Sequence, residues 1–119
     1  MIERYAFLKS FKYALRGIVY TWAQEQNFRI QVFCAAVVFM VAFFVRVSYL
    51  ETALLALAIS GVLVLELVNT VAERIMDALN PRIHPYATVV KDVMAGAVLI
   101  AALGATLVGI AVLVPKMIP

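Results

Sequence analysis

The chain has 119 residues, of which 66% are hydrophobic and 14% are charged, against roughly 45–50% and roughly 25% in soluble domains. A core of this size cannot hide so many apolar side chains, so the composition excludes a water-soluble globule and predicts a surface that is largely solvated by lipid. The net charge of +3 is too small to indicate a nucleic-acid partner, and high hydrophobicity with few charges excludes a disordered chain.

The first 28 residues predict an amphipathic helix on a membrane surface. Apolar side chains recur there at spacings of three and four, and basic side chains lie largely off that stripe. The stripe consists of Phe7, Phe11, Leu15, Ile18 and Trp22, and the basic residues are Arg4, Lys9, Lys12 and Arg16. Residues 1–29 contain no apolar run of seven residues, so a cleaved signal peptide is not expected.

Three apolar segments follow, at residues 30–50, 52–72 and 93–114. Each is long enough to cross a hydrocarbon core of about 30 Å as a helix. The predicted fold class is therefore an all-α integral membrane protein, with an N-terminal amphipathic surface helix plus three transmembrane helices in a single domain, residues 1–119. The third segment also has a small-residue face suited to close helix packing or self-association, formed by Ala97, Ala101, Ala105 and Gly109.

The basic residues predict how the chain is oriented in the membrane. Five precede the first span, one follows it, three follow the second span and one follows the third. Because Lys and Arg accumulate on the cytoplasmic side, the N-terminus and residues 73–92 are predicted to be cytoplasmic and the C-terminus to lie outside.

Asn80-Pro81 and His84-Pro85 predict turns, and His84 is expected to be a turn residue rather than a zinc ligand. Cys34, inside an apolar run, is expected to be a buried small apolar side chain.

Polar residues on the second span form one stripe. They stand at positions i, i+3, i+4, i+7 and i+11, which covers about a third of the helix circumference: Glu66, Asn69, Thr70, Glu73 and Asp77. A carboxylate deep in a bilayer costs about 2.5–3.5 kcal/mol, so the stripe should face a cavity, a metal or another subunit. Magnesium suits such a site, because it prefers oxygen ligands and binds one or two carboxylates together with phosphates.

Each of these charged groups also has a plainer interpretation. Glu73 and Asp77 could lie at the interface and pair with a basic neighbour, namely Arg74, Arg82 or Lys91. Glu25, which is placed to join the site from the first span, could instead pair with Arg29 one helical turn later. The Lys91-Asp92 pair could bind phosphate, or it could merely anchor the third span at the membrane interface.

The strings ELVNTVAERIMD (residues 66–77) and KDVMAGAVLIAA (residues 91–102) resemble the prokaryotic diacylglycerol kinase and undecaprenol kinase family. The resemblance extends through SFKYALRGI (10–18), QEQNFRIQ (24–31) and the IHP before the third span, so it covers essentially the whole chain. Family members are small homotrimeric enzymes of the bacterial cytoplasmic membrane with active sites between subunits. The resemblance thus implies an ATP-dependent lipid kinase that phosphorylates a membrane lipid alcohol. The His84-Pro85 loop and the K-D-V-x-A-G-A-V run look more like the undecaprenol kinase branch and favour undecaprenol over diacylglycerol.

The resemblance also implies roles for individual residues. Glu66 resembles the family's general base, with Asn69 as its polar neighbour, and Glu25 and Glu73 resemble the ligands of Mg²⁺. The nucleotide-binding set that the resemblance implies comprises Arg16, Glu25, Glu73, Asp77, Lys91 and Asp92. Thr88 departs from the family pattern, which often has a basic residue at that position.

Two other functions compete with this interpretation. Carboxylates inside a membrane also mark ion pathways, so a small ion- or proton-conducting protein is the alternative. A non-catalytic assembly subunit would explain the small-residue face, but it leaves the acidic stripe unexplained.

Overall fold

The structure, a computed structural model, describes residues 2–79 and 85–119. Within these ranges the chain forms helices α1 (Ile2–Gln24), α2 (Gln26–Val45), α3 (Tyr49–Ala78) and α4 (Pro85–Met117), and no strand. Helices α2, α3 and α4 are long and apolar enough to cross a membrane, which confirms the predicted fold class. The turns expected at Asn80-Pro81 and His84-Pro85, and the predicted role of His84, involve positions outside the described residues.

The surface helix is shorter than the predicted residues 1–28, because the helical backbone breaks at Glu25. This residue is extended, with φ −116° and ψ 110°, and α2 begins directly after it. The Arg29 guanidinium donates to the backbone carbonyls of Trp22 (2.7 Å) and Ala23 (3.2 Å), which satisfies acceptors that the end of α1 leaves open. Arg29 therefore closes α1 and is not the partner of Glu25.

Local capping also explains why the first two spans do not end where hydropathy alone places them. Arg46 adopts a left-handed conformation (φ 59°, ψ 59°) and ends α2, five residues before the predicted limit at Leu50. The Ser48 hydroxyl then accepts from the Glu51 backbone N–H, and the Glu51 carboxylate accepts from the Ser48 N–H. This capping box starts α3 at Tyr49.

The buried core of the chain is small and lies at the end of the bundle that contains Arg46. Ala42, Leu55 and Val112 form it, one from each of the three long helices. Most large apolar side chains stay exposed, such as Phe43 and Phe44 on α2. The apolar stripe of α1 is largely exposed as well. Its member Ile18 lines a pocket against α3, but most of the stripe remains available to a membrane surface or a second subunit.

Cys34 is a correction to the sequence analysis, because it is exposed rather than buried. It lines an apolar groove between α2, α3 and α4. Apolarity indicates burial in a soluble protein, but in a membrane helix it also marks the surface that faces lipid. The small-residue face of α4 is half-buried, and its members Ala105 and Gly109 line the same groove.

Candidate functional site

The length of α3 determines how deep the polar residues lie. Its 30 residues extend over about 45 Å, whereas a hydrocarbon core is about 30 Å thick. If the core begins at Tyr49, its other boundary falls about 20 residues later, near Asn69. Glu66 then lies in the last turn inside the apolar layer, and Glu73 and Asp77 lie beyond it, at the end of the bundle where α1 joins α2.

Glu66 is the most buried charged residue of the described chain, with 1% of its surface exposed. The Gln31 side chain of α2 donates from Nε2 to Glu66 Oε2 at 3.3 Å. The other carboxylate oxygen, Oε1, is buried without a hydrogen-bond partner. Thr70, also buried, donates to the Glu66 backbone carbonyl at 3.0 Å, which is an ordinary bond within the helix.

Asn69 contacts Glu73, the acidic residue that follows Glu66 in the stripe. It lies between them on the same helix face, and its Nδ2 donates to Glu73 Oε1 at 3.2 Å. Its own Oδ1 is buried and unpartnered. The structure thus brings Glu66, Asn69 and Glu73 together as the 3.6-residue period predicts.

Three buried side-chain atoms in the described part of the chain have no hydrogen-bond partner: Gln31 Oε1, Glu66 Oε1 and Asn69 Oδ1. All three are acceptors, and buried acceptors are normally satisfied. The group therefore fits a ligand that brings donors or positive charge, such as a hydroxyl, water, an ammonium or a metal ion.

Glu25 approaches this group from the break between α1 and α2. Its Oε1 accepts from Arg74 Nη2 at 3.0 Å, and Arg74 Nε donates to the Tyr20 hydroxyl at 2.9 Å. The guanidinium also lies 5.8 Å from the Tyr20 ring centroid. Sequence reasoning considered Arg74 only as a partner of Glu73 or Asp77 and did not single out Tyr20.

Asp77 and Lys91 form an ion pair of 2.5 Å that ties the end of α3 to the start of α4. Asp77 therefore has the basic partner that the plainer interpretation expected. In the single chain the Lys91 ammonium is paired with this carboxylate. Arg82, the other candidate partner, lies outside the described residues. Asp92 is exposed beside Lys91.

Arg16 is exposed on α1, with its guanidinium 5.6 Å from the Tyr13 ring centroid. Neither Arg16 nor Asp92 has a hydrogen bond or ion pair with the buried acceptors in the described chain. One chain thus assembles the Glu66 end of the predicted site, but it does not bring all of the predicted nucleotide-binding residues to it.

No group of three or more His, Cys, Asp or Glu side chains in residues 2–79 and 85–119 is arranged to hold a metal ion. The donor types nevertheless fit Mg²⁺, which prefers oxygen ligands and completes its shell with water and substrate phosphates. Glu73, the unpartnered Oδ1 of Asn69, and Glu25 supply such oxygens. For Glu25 to bind a metal through Oε1, it would have to exchange its bond to Arg74.

The apolar groove that contains Cys34 has a volume of about 540 Å³ and extends from Gln31 to Met117. Among its described lining residues, Gln31 and Thr106 carry the amide and hydroxyl groups, and the remainder is apolar apart from the thiol of Cys34. Gln31 thus belongs both to this groove and to the buried acceptor group.

Comparisons with known proteins point in one direction. A family model described as prokaryotic diacylglycerol kinase matches residues 12–113. The diacylglycerol kinase of Synechocystis sp. is 38% identical over 112 residues, which cover 93% of this chain and 64% of that relative's length. The undecaprenol kinase of Bacillus subtilis is 37% identical over 111 residues, covering 93% of this chain and 90% of the relative. The diacylglycerol kinase of Helicobacter pylori (strain J99) is 33% identical over 92 residues, 77% of this chain and 72% of the relative. No solved structure matches the chain.

Proposed function

The chain belongs to the prokaryotic diacylglycerol kinase family, a family of lipid kinases, and from this premise we propose that it transfers the γ-phosphate of ATP to the hydroxyl of a membrane lipid alcohol. The observation that carries the proposal is the Glu66 carboxylate, buried in the last apolar turn of α3 with one oxygen free. A lipid hydroxyl is a donor, and it is one of the ligands that the three unpartnered acceptors fit.

In the proposed reaction Glu66 acts as general base. The hydroxyl oxygen of the lipid attacks the γ-phosphorus, its proton passes to Glu66 Oε1, and the bond to the ADP oxygen breaks. Asn69 contacts Glu73 through its amide nitrogen, and its buried carbonyl oxygen has no partner in the described residues. Phosphoryl transfer depends mainly on positioning and on neutralising charge, so the remaining residues are assigned to the nucleotide.

Glu25 and Glu73 are the proposed ligands of Mg²⁺, which when bound would neutralise phosphate charge. Lys91 would contact the phosphates, with Asp77, Asp92 and Arg16 completing the nucleotide site. Lys91 is paired with Asp77 in the single chain, and Arg16 lies apart on α1. We therefore propose a homotrimer in which neighbouring subunits complete each site. The N-terminus and residues 73–92 would face the cytoplasm, where ATP is available, and the C-terminus would lie outside.

Undecaprenol is the proposed substrate in preference to diacylglycerol. The apolar groove between α2, α3 and α4 is continuous and suits a hydrocarbon chain, and the protein covers 90% of the undecaprenol kinase that it matches. The apolar lining also argues against the alternative of ion conduction, because an ion in such a groove would lack ligands.

The experiment that tests the proposal follows label from [γ-³²P]ATP with Mg²⁺ in bilayers that contain undecaprenol and diacylglycerol in equal amounts. Glu66→Gln protein serves as the control for contaminating kinases. Label in undecaprenyl phosphate is the expected result, whereas label chiefly in phosphatidic acid would refute the proposed preference. Folded protein that labels neither lipid would refute the kinase proposal, and ion flux through the same bilayers would then be measured.

A further inference from the structure

Gln31 is a polar residue in an otherwise apolar stretch of α2. Its amide makes the one side-chain hydrogen bond that joins Glu66 to another helix within the described residues, from Nε2 to Oε2 at 3.3 Å. A carboxylate only accepts hydrogen bonds, so the NH₂ group of Gln31 must face it, and this fixes the orientation of the amide.

The contact distinguishes the two oxygens of Glu66. Oε2 is held by Gln31, whereas Oε1 is buried and free. Gln31 also lines the end of the apolar groove that lies beside Glu66. On the basis of the proposed kinase function, we propose that Gln31 is a positioning residue that holds Glu66 Oε2 and thereby directs Oε1 to the lipid hydroxyl arriving from the groove.

The energetics of the position support a functional role over a packing role. Residues 32–45 of α2 are apolar throughout, and an apolar side chain at position 31 would continue that surface without desolvating an amide. The Gln31 Oε1 is itself buried without a partner, so the residue is incompletely satisfied in the fold. We attribute the presence of an incompletely hydrogen-bonded amide at this position to its hydrogen bond with Glu66 Oε2.

The test compares Gln31→Met, which keeps the length of the side chain and removes its hydrogen bonds, with Gln26→Met as matched control. Gln26 is exposed at the start of the same helix. Turnover is measured with the protein in bilayers, together with KM for ATP and for undecaprenol. We expect kcat of Gln31→Met to fall about 10-fold to 100-fold, the effect of losing one hydrogen bond to a charged group. KM for ATP should change less than about twofold, and Gln26→Met should match the wild type.

A second measurement asks whether Gln31 acts through Glu66. In a Glu66→Asp background the carboxylate is withdrawn from the amide, so Gln31→Met should cost less than about twofold in kcat. Losses that multiply in the double variant would show that the two residues act independently and would overturn the inference, as would a change confined to KM for the lipid.

The outcomes separate this inference from the function on which it rests. A wild type that phosphorylates no lipid alcohol overturns the kinase proposal and the role of Gln31 with it. An active wild type whose kcat is unchanged in Gln31→Met overturns only the role of Gln31. If Gln31→Met assembles poorly, Gln31→Ala replaces it; poor assembly of both, with normal kcat per folded molecule, would assign Gln31 a structural role.

Discussion

Replacing Glu66 by glutamine should stabilise the fold while it removes the proposed kinase activity. The substitution keeps the shape of the side chain, and its amide oxygen can still accept from Gln31 Nε2. What changes is the charge, on a group that is 1% exposed and has one hydrogen bond of 3.3 Å and one unpartnered oxygen. We expect such a group to destabilise the fold, a cost that the proposed role as general base would explain.

The magnitude follows from two limits. A carboxylate at the centre of a bilayer costs about 2.5–3.5 kcal/mol, but Glu66 lies in the last apolar turn, where the cost is lower. A buried polar group without a partner costs about 1–3 kcal/mol. We therefore expect Glu66→Gln to raise the free energy of unfolding by about 1–2 kcal/mol and to lower turnover by at least about 100-fold, the usual contribution of a general base.

Reversible denaturation in mixed micelles measures the first quantity, and label transfer from ATP measures the second. Glu51→Gln is the matched control, because this carboxylate lies on the same helix but is used in the capping box with Ser48 and in an ion pair with Lys116. It should lose stability and keep its activity. If Glu66→Gln is destabilised like Glu51→Gln, the carboxylate is a structural acceptor and the reasoning fails; full activity in Glu66→Gln would refute the assigned role directly.

Three further predictions concern the surroundings of Glu66. Arg74→Met should detach α1 from α3 and raise hydrogen exchange of the α1 amides about tenfold; unchanged exchange would show that other contacts hold α1. Exchanging the charges of Asp77 and Lys91 should preserve the melting temperature but raise KM for ATP about tenfold, and a normal KM would reduce the pair to a structural link. Cys34→Trp should obstruct the apolar groove and raise KM for undecaprenol about tenfold, with KM for ATP unchanged. The control Phe33→Trp lies outside the groove and should have little effect on either KM. Equal KM values for undecaprenol in the two variants would exclude the groove as the site of the lipid chain.

The three long helices follow from the sequence because bilayer thickness fixes the length of an apolar span, and α1 follows from its apolar residues at spacings of three and four. Their ends do not, since they depend on single residues whose backbone conformation hydropathy does not report. The extended backbone of Glu25 separates α1 from α2, and the left-handed conformation of Arg46 ends α2. The capping box at Ser48, which starts α3, was the one signal that a search for Ser-x-x-Glu would have found.

The acidic stripe was predictable for a similar reason, because neighbours on one helix face are fixed by the helical period. Gln31 and Arg74 were not, because their contacts with Glu66 and Glu25 join different helices. A weak signal did exist for Gln31, as the amide that interrupts the apolar start of the first span. No local sequence pattern indicates the role of Arg74. It lies on α3, whereas its partners Tyr20 and Glu25 lie before α2, about 50 residues earlier in the chain.

The position of the acceptors along α3 also explains how one helix can serve both proposed substrates. A lipid hydroxyl and a water-soluble nucleotide can meet only where the apolar layer ends. With the apolar layer taken to begin at Tyr49, Glu66 falls just inside that boundary. Glu73 and Asp77 follow Glu66 by seven and eleven residues, or about 10.5 Å and about 16.5 Å along the axis. The helix thus separates the proposed base, which lies beside the apolar groove, from the proposed metal and nucleotide residues in the polar layer. Because Glu66, Glu73 and Asp77 belong to one helix, their spacing does not depend on how α1 or α4 moves. The proposed subunit assembly would therefore only have to bring the cationic groups Arg16 and Lys91 to carboxylates whose spacing is already fixed.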